Sequence, residues 1–225
     1  MAAWGEEKVE SFRANLEKQL REHGEELHLD WDSIGEAPEG VWLLFCDALK
    51  ESNVKELHLG RNNLGQAPEA AWRLFCDALK ESKVRELDLY DNKLAQAPEV
   101  VWRLFCDTLK ESEVKKLRLG CNNLGRAPEA VWQLICDTLK ESEVKELYLH
   151  YNNLSWSQQK EAEGIVSQNQ QRVWDAKQRA RCLLFCHLHS SKTADQNPTA
   201  TLGAIPTNVL EAHEVVPFAA TLTHT

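Results

Sequence analysis

The chain has 225 residues, 43% of them hydrophobic and 27% charged, with a formal net charge of −9. Such a composition belongs to an ordinary globular protein with room for one or two domains. The negative field repels nucleic-acid phosphates and anionic lipid, which excludes nucleic acid as a partner and points to a protein, and a basic one.

The first twenty residues carry charges throughout and lack the apolar centre of a signal peptide. No apolar run reaches membrane-spanning length, so no membrane span is expected. Seven cysteines, an odd number without a secretory signal, predict reduced thiols and a cytoplasmic location.

Residues 1–23 come first. Within them 6-EEKVESFRANLEKQLRE-22 places Val9, Phe12, Leu16 and Leu20 on one helical face. The segment predicts an N-terminal capping helix over the first of the repeats that follow.

From Leu27 the chain repeats every thirty residues without insertion, as in 57-LHLGRNNL-64, 87-LDLYDNKL-94 and 117-LRLGCNNL-124. A fixed period of this size means a supersecondary unit that buries its apolar face by stacking on its neighbours. In each copy two leucines alternate with variable residues, a short strand with leucines inward. Asn62, Asn92, Asn122 and Asn152 follow the strand, where their amides suit a hydrogen-bonded turn and can form a ladder from copy to copy. Pro38, Pro68, Pro98 and Pro128 then mark helix starts, each where a first-turn proline fits, with a glutamate after it for the helix dipole. Trp72, Phe75, Cys76 and Leu79 make one apolar stripe, and Ala71, Leu74 and Ala78 a second beside it.

Two columns invite other readings. Trp42, Trp72, Trp102 and Trp132 could stack on a ligand, but all fall on the apolar stripe and are read as core. Cys46, Cys76, Cys106 and Cys136 could hold a metal, but ligands thirty residues apart on successive helices do not converge on one ion. No metal and no cofactor are expected.

Residues 24–154 therefore read as an α/β solenoid, a short horseshoe arc with parallel strands on the concave face and helices on the convex face. They hold 24 acids against 16 bases, a net of −8, so nearly all the acidity lies here. In the first copy Asp32 and Ile34 replace the turn asparagine and leucine. Residues 155–189 lack the repeated block and predict a C-terminal helical cap, started by Ser155 or Ser157. Its end, 172-RVWDAKQRARCLLFCHLH-189, carries four basic residues and one acid before an apolar run. That run is read as packing on the last repeat, with a basic amphipathic helix for a membrane surface or partner as the alternative. Cys182, Cys186, His187 and His189 suggest metal ligands, but their spacing fits no common paired pattern. Residues 190–225 lack periodicity and predict a flexible, disordered tail.

The pattern L-x-L-x-x-N-x-L with a full helix per copy resembles the ribonuclease-inhibitor-like leucine-rich repeats, the class also found in the C-terminal arrays of NOD-like receptors and in Ran GTPase-activating proteins. The likeness covers residues 24–154. It departs from that class in its uniform thirty-residue copies, its APE-x-x-W helix start and its short array, and no G-x-x-x-x-G-K-[ST] occurs. The resemblance implies a curved solenoid that binds a protein on its concave side. The chain is expected to be monomeric.

Within one chain, the framework positions stay constant while the outward strand positions change. Those variable residues are His28, Asp30 and Trp31; His58 and Arg61 beside Gly60; Asp88, Tyr90 and Asp91; Arg118 and Cys121 beside Gly120; and Tyr148, His150 and Tyr151. Aromatics and arginine among acids are enriched at protein–protein hot spots. The reading is a non-catalytic interaction module. An acid–base pair of His28 or His58 with Asp30 or Asp88 is geometrically conceivable, yet an open strand face supplies no water-excluding cavity. By resemblance alone, regulation of a small GTPase is the alternative, with Arg61 or Asn63 reaching the nucleotide.

Overall fold

The computed structural model describes residues 4–194. Contacts divide the chain into two units at Asp175. The first holds the helix α1 (Glu6–His23), then β1 (Glu26–His28), α2 (Glu39–Glu51), β2 (Glu56–His58), α3 (Glu69–Glu81) and β3 (Glu86–Asp88). It continues with α4 (Glu99–Glu111), β4 (Lys116–Arg118), α5 (Glu129–Glu141), β5 (Glu146–Tyr148) and the beginning of α6 (Trp156–Ala194).

The strands form one parallel sheet in the order β1-β2-β3-β4-β5, paired at a register of one whole repeat, Leu27 with Leu57 and Leu57 with Leu87. Each strand reaches its neighbour through a helix, giving the leucine-rich-repeat solenoid. Stacked strands lie about 4.8 Å apart whereas packed helices need 8–10 Å, so the sheet forms the inner side of such a stack. The leucine pairs are fully covered: Leu57, Leu59, Leu87 and Leu89 are at most 1% exposed.

The asparagines form the expected ladder. Asn92 Oδ1 accepts from the Asn62 and Leu64 amides at 2.9 and 3.2 Å, while its Nδ2 donates to the Leu59 carbonyl at 2.7 Å. Asn62, Asn122 and Asn152 repeat the pattern, and all four are buried. After the strand the backbone turns left-handed twice, at Arg61 and Asn63 and at the same positions of every copy, with φ between 53° and 69°. A side chain there crowds the following carbonyl, a cost of order 1–2 kcal/mol per residue that the flanking ladder bonds offset. Glycine follows at Gly65, where an added Cβ would stand 2.1 Å from the Lys93 carbonyl oxygen. Ala95 occupies this place in the third copy, and its amide lies 3.1 Å from the Asn122 carbonyl, against 2.9 Å for Gly65 on Asn92.

One correction concerns the prolines. Pro38, Pro68, Pro98 and Pro128 are N-caps with extended ψ of 145–157°, not the first helical residues. Their carbonyls accept the first intrahelical bonds, and the glutamate takes the first helical place. The missing N–H costs nothing in either position.

Trp42, Trp72, Trp102 and Trp132 are core, 2–3% exposed. The Trp72 and Trp102 indoles donate to the Leu64 and Leu94 carbonyls at 3.0 and 3.1 Å, and Trp132 to Glu161 of α6 at 3.2 Å. The buried Trp42 Nε1 has no partner. Cys46, Cys76, Cys106 and Cys136 are buried free thiols. Burial pushes the first and last to about 12 and the middle two to about 11.

The α6 helix is capped by Ser155: its hydroxyl accepts the Gln158 amide at 3.3 Å while Gln158 Oε1 accepts the Ser155 amide at 3.0 Å, a reciprocal capping box. The second unit, from Ala176, is helical through Ala194, with Lys177, Arg179 and Arg181 exposed. Helix therefore replaces the first residues assigned to the tail, 190–194. The remainder of that tail, 195–225, and the side chains of Cys182, Cys186, His187 and His189 lie outside the described residues.

Candidate functional site: the open sheet face

The variable residues form continuous rows across the open side of the sheet. In the first row His28 and His58 stack with ring centroids 4.3 Å apart and planes 16° from parallel. The His58 Nδ1 lies 4.0 Å from Asp88, which lies 3.7 Å from Arg118, and Arg118 stands 5.5 Å from the Tyr148 ring centroid. Asp30 turns back along the face, where its Oδ1 accepts the Gly60 amide at 2.5 Å.

The second row is aromatic and cationic. The Arg61 guanidinium sits 4.1 Å over the Trp31 ring and 5.5 Å from that of Tyr90, with its Nε 3.3 Å from Asp91. The Cys121 thiol donates to the Tyr90 hydroxyl at 3.1 Å. Tyr90 also approaches His150 at 5.8 Å between centroids, and His150 meets Tyr151 edge-on at 5.3 Å. Trp31 and Tyr151 are 66% and 79% exposed. Asp30, Trp31, Gly60, Arg61, Asp88 and Tyr90 line a depression of about 250 Å³. Gly120 leaves room for the neighbouring ring, since a Cβ there would stand 2.7 Å from His150 Nε2.

All thirteen variable residues named from the sequence thus lie in these two connected rows. A third row, outside those thirteen residues, runs beside the first. Glu26, Glu56, Glu86, Lys116 and Glu146 pair in register at the strand starts. Glu86 binds Lys116 at 2.9 Å and Arg118 at 2.6 Å, and its carboxylate holds the Lys116 ammonium above its ordinary pKa. Their period-two alternation with the buried leucines is the sequence signal for this row, one that a comparison of variable positions passes over. With this row included, the face carries seven acids (Glu26, Asp30, Glu56, Glu86, Asp88, Asp91, Glu146) and three bases (Arg61, Lys116, Arg118). Six of the seven acids stand on the β1–β3 side, and two of the three bases on β4.

No described helix is long and apolar enough to cross a membrane. No protein-family model matches the chain, and no curated protein matches it in sequence. Among solved structures, leiomodin-1 actin-binding site 2 aligns with 82% of this chain and 99% of its own, at 15% identity and a TM-score of 0.55. The C-terminal domain of Caenorhabditis elegans tropomodulin aligns with 78% of this chain and 98% of its own, at 14% identity and a TM-score of 0.46. The first likeness is one of fold; the second is too loose to carry an argument.

Proposed function

We propose that the chain is a non-catalytic protein-interaction module that binds a protein partner on the open sheet face. One observation carries this reading. The residues that change between otherwise near-identical copies converge on one exposed face, around the Trp31–Arg61–Tyr90 sandwich. Aromatic and arginine anchors in a shared depression are the usual centre of a hot spot. The acidic β1–β3 side favours a basic segment of the partner, and the β4–β5 side offers aromatics and cations. A cytoplasmic monomer of the ribonuclease-inhibitor-like or NOD-like-receptor class is consistent with this reading. The fold likeness to an actin-binding site of leiomodin-1 places actin among the partners to be tried first.

The test compares the native chain with Tyr90→Ala and Asp91→Asn. Asp91 has φ 53°, so asparagine removes the charge while tolerating the left-handed backbone that alanine would strain. Affinity capture followed by mass spectrometry should recover a partner with the native chain, and Tyr90→Ala should weaken it by about 2 kcal/mol or more. Actin co-sedimentation is the direct arm. Equal capture by both variants, with the fold intact, overturns the reading.

A further inference from the structure

At the β1–β2 end of the face three side chains of metal-ligating type stand together. One ligand atom from each of His28, Asp30 and His58 lies within 4.8 Å of the other two, and among the described residues this is the one such group of three. We propose that His28, Asp30 and His58 form a binding site for a divalent transition-metal ion of the zinc class.

Each imidazole has a carboxylate near one nitrogen: Glu26 lies 3.5 Å from His28 Nε2, and Asp88 lies 4.0 Å from His58 Nδ1. Neither separation is a hydrogen bond, but each carboxylate is near enough to accept the outer N–H once the rings turn toward an ion, which orients the ring and makes the other nitrogen a better ligand. That would leave Nδ1 of His28 and Nε2 of His58 for the ion. Asp30 is pinned through one oxygen by the Gly60 amide, leaving the second oxygen as the ligand. The main chain of His28 is held too, because the Gln19 side chain bonds both its carbonyl at 2.6 Å and its amide at 2.8 Å.

Tetrahedral bonds of about 2.0–2.1 Å place ligand atoms about 3.3 Å apart, so the three must close by up to about 1.5 Å. The His28 and His58 rings are stacked, so one of them must also turn out of the stack to bring its in-plane lone pair onto the ion; His28, with 49% of its side-chain surface in solvent, is free to do so. Two neutral imidazoles with one carboxylate select zinc, cobalt, nickel or copper over calcium and magnesium, which prefer all-oxygen shells. Three protein ligands leave a fourth position toward solvent. Beyond Asp30 itself, the carboxylates of Glu26 and Asp88 lie beside the two imidazoles, and the neighbouring cation, Arg118, is 3.7 Å from Asp88.

The pairing is private to the first two copies. Asp88 and Tyr90, Arg118 and Gly120, and Tyr148 and His150 hold the corresponding places further along. No other adjacent copies offer a histidine pair with an acid.

Cobalt titration of the full chain tests the proposal, because the ion reports its ligands. One equivalent should bind at concentrations comparable with the protein's, giving visible d–d absorption without the near-ultraviolet thiolate charge-transfer band that cysteine ligation would add. Zinc should displace it. His58→Ala and His28→Ala should each weaken binding by roughly a hundredfold or more, with far-ultraviolet circular dichroism unchanged. Should either variant fail to fold, histidine-detected magnetic resonance on the native chain decides, since zinc should shift His28 and His58 together. Binding that survives both substitutions, carries thiolate charge transfer, or leaves those two rings unshifted overturns the site.

Discussion

The two ends of the array are closed in different ways. At the N-terminal end α1 covers the sheet itself. Phe12 and Leu16 are 4% and 1% exposed, Trp4 meets Phe12 edge-on at 5.7 Å, and Gln19 takes the place of a missing strand by bonding both backbone groups of His28. Under that cover Leu27 and Leu29 are fully buried. At the C-terminal end α6 packs mainly on the helix layer and reaches the sheet only at the ladder carbonyl just before β5. Asn169 Nδ2 donates to the Leu139 and Val144 carbonyls at 2.8 Å, and Gln170 reaches the Lys145 carbonyl at 2.6 Å. Among the described side chains none bonds the backbone of Glu146–Tyr148 across that edge. Leu147 and Leu149 remain half-buried beside a groove of about 360 Å³ between β5 and α6. A repeat buries its apolar face only against a neighbour, so a terminal unit must borrow one, and it can borrow for either layer.

The sharpest test of that contrast is a pair of truncations. Phe12→Ala removes a buried ring from the sheet-side cover and should cost about 3–5 kcal/mol. Leu147→Ala occupies the same kind of strand position as the buried Leu27 but is half-exposed, and should cost roughly 1–2 kcal/mol. Urea unfolding of both variants measures the difference. Equal losses would mean that α6 protects β5 as α1 protects β1.

A second test sets the interior against both ends. Asn92→Ala strands the Asn62 and Leu64 amides and the Leu59 carbonyl inside the stack, with an expected loss of about 1–3 kcal/mol. An unchanged unfolding midpoint would refute the ladder as a source of stability. Gln19→Ala should cost less, about 0.5–1.5 kcal/mol, because its bonds lie at the exposed edge, where water can replace them. Hydrogen exchange at the His28 amide should quicken in that variant while exchange at the Asp88 amide stays as it was.

What the sequence made legible was whatever recurs. Thirty-residue recurrence placed the leucines, asparagines, tryptophans and cysteines correctly, because a side chain repeated in register must meet its own copies. Single residues that close the stack carried no such mark. Gln19 is one polar residue among many on α1, and only the geometry of β1 reveals that its amide imitates a strand. The proline misplacement has a similar origin, since proline satisfies both the N-cap and the first helical position and its type cannot separate them. The glutamate row escapes for the opposite reason: four of its five members are the same residue, so a comparison of what varies between copies passes over it although the side chains face out.

Asp32 lies at the open end of the asparagine ladder. It stands where later copies have the ladder asparagine, and that asparagine's Oδ1 serves the amides of the preceding copy. The first copy has no predecessor, so the acceptor has nothing to accept from and the amide is dispensable. What remains is a carboxylate in a half-buried place. Burial raises its pKa, Lys8 partly opposes this, and Asp30 adds to it. A folded pKa above the unfolded value of about 3.9 means the native state binds the proton more tightly, so stability declines as pH rises through the carboxylate range. Asp32→Asn should therefore raise the unfolding midpoint slightly at pH 7, with the gain shrinking toward zero as the pH falls below about 4. Melting curves of the two proteins at neutral and acid pH give the sign directly. A substitution that destabilises at pH 7 would show that the charge is used, through Lys8, to hold α1 on the first repeat.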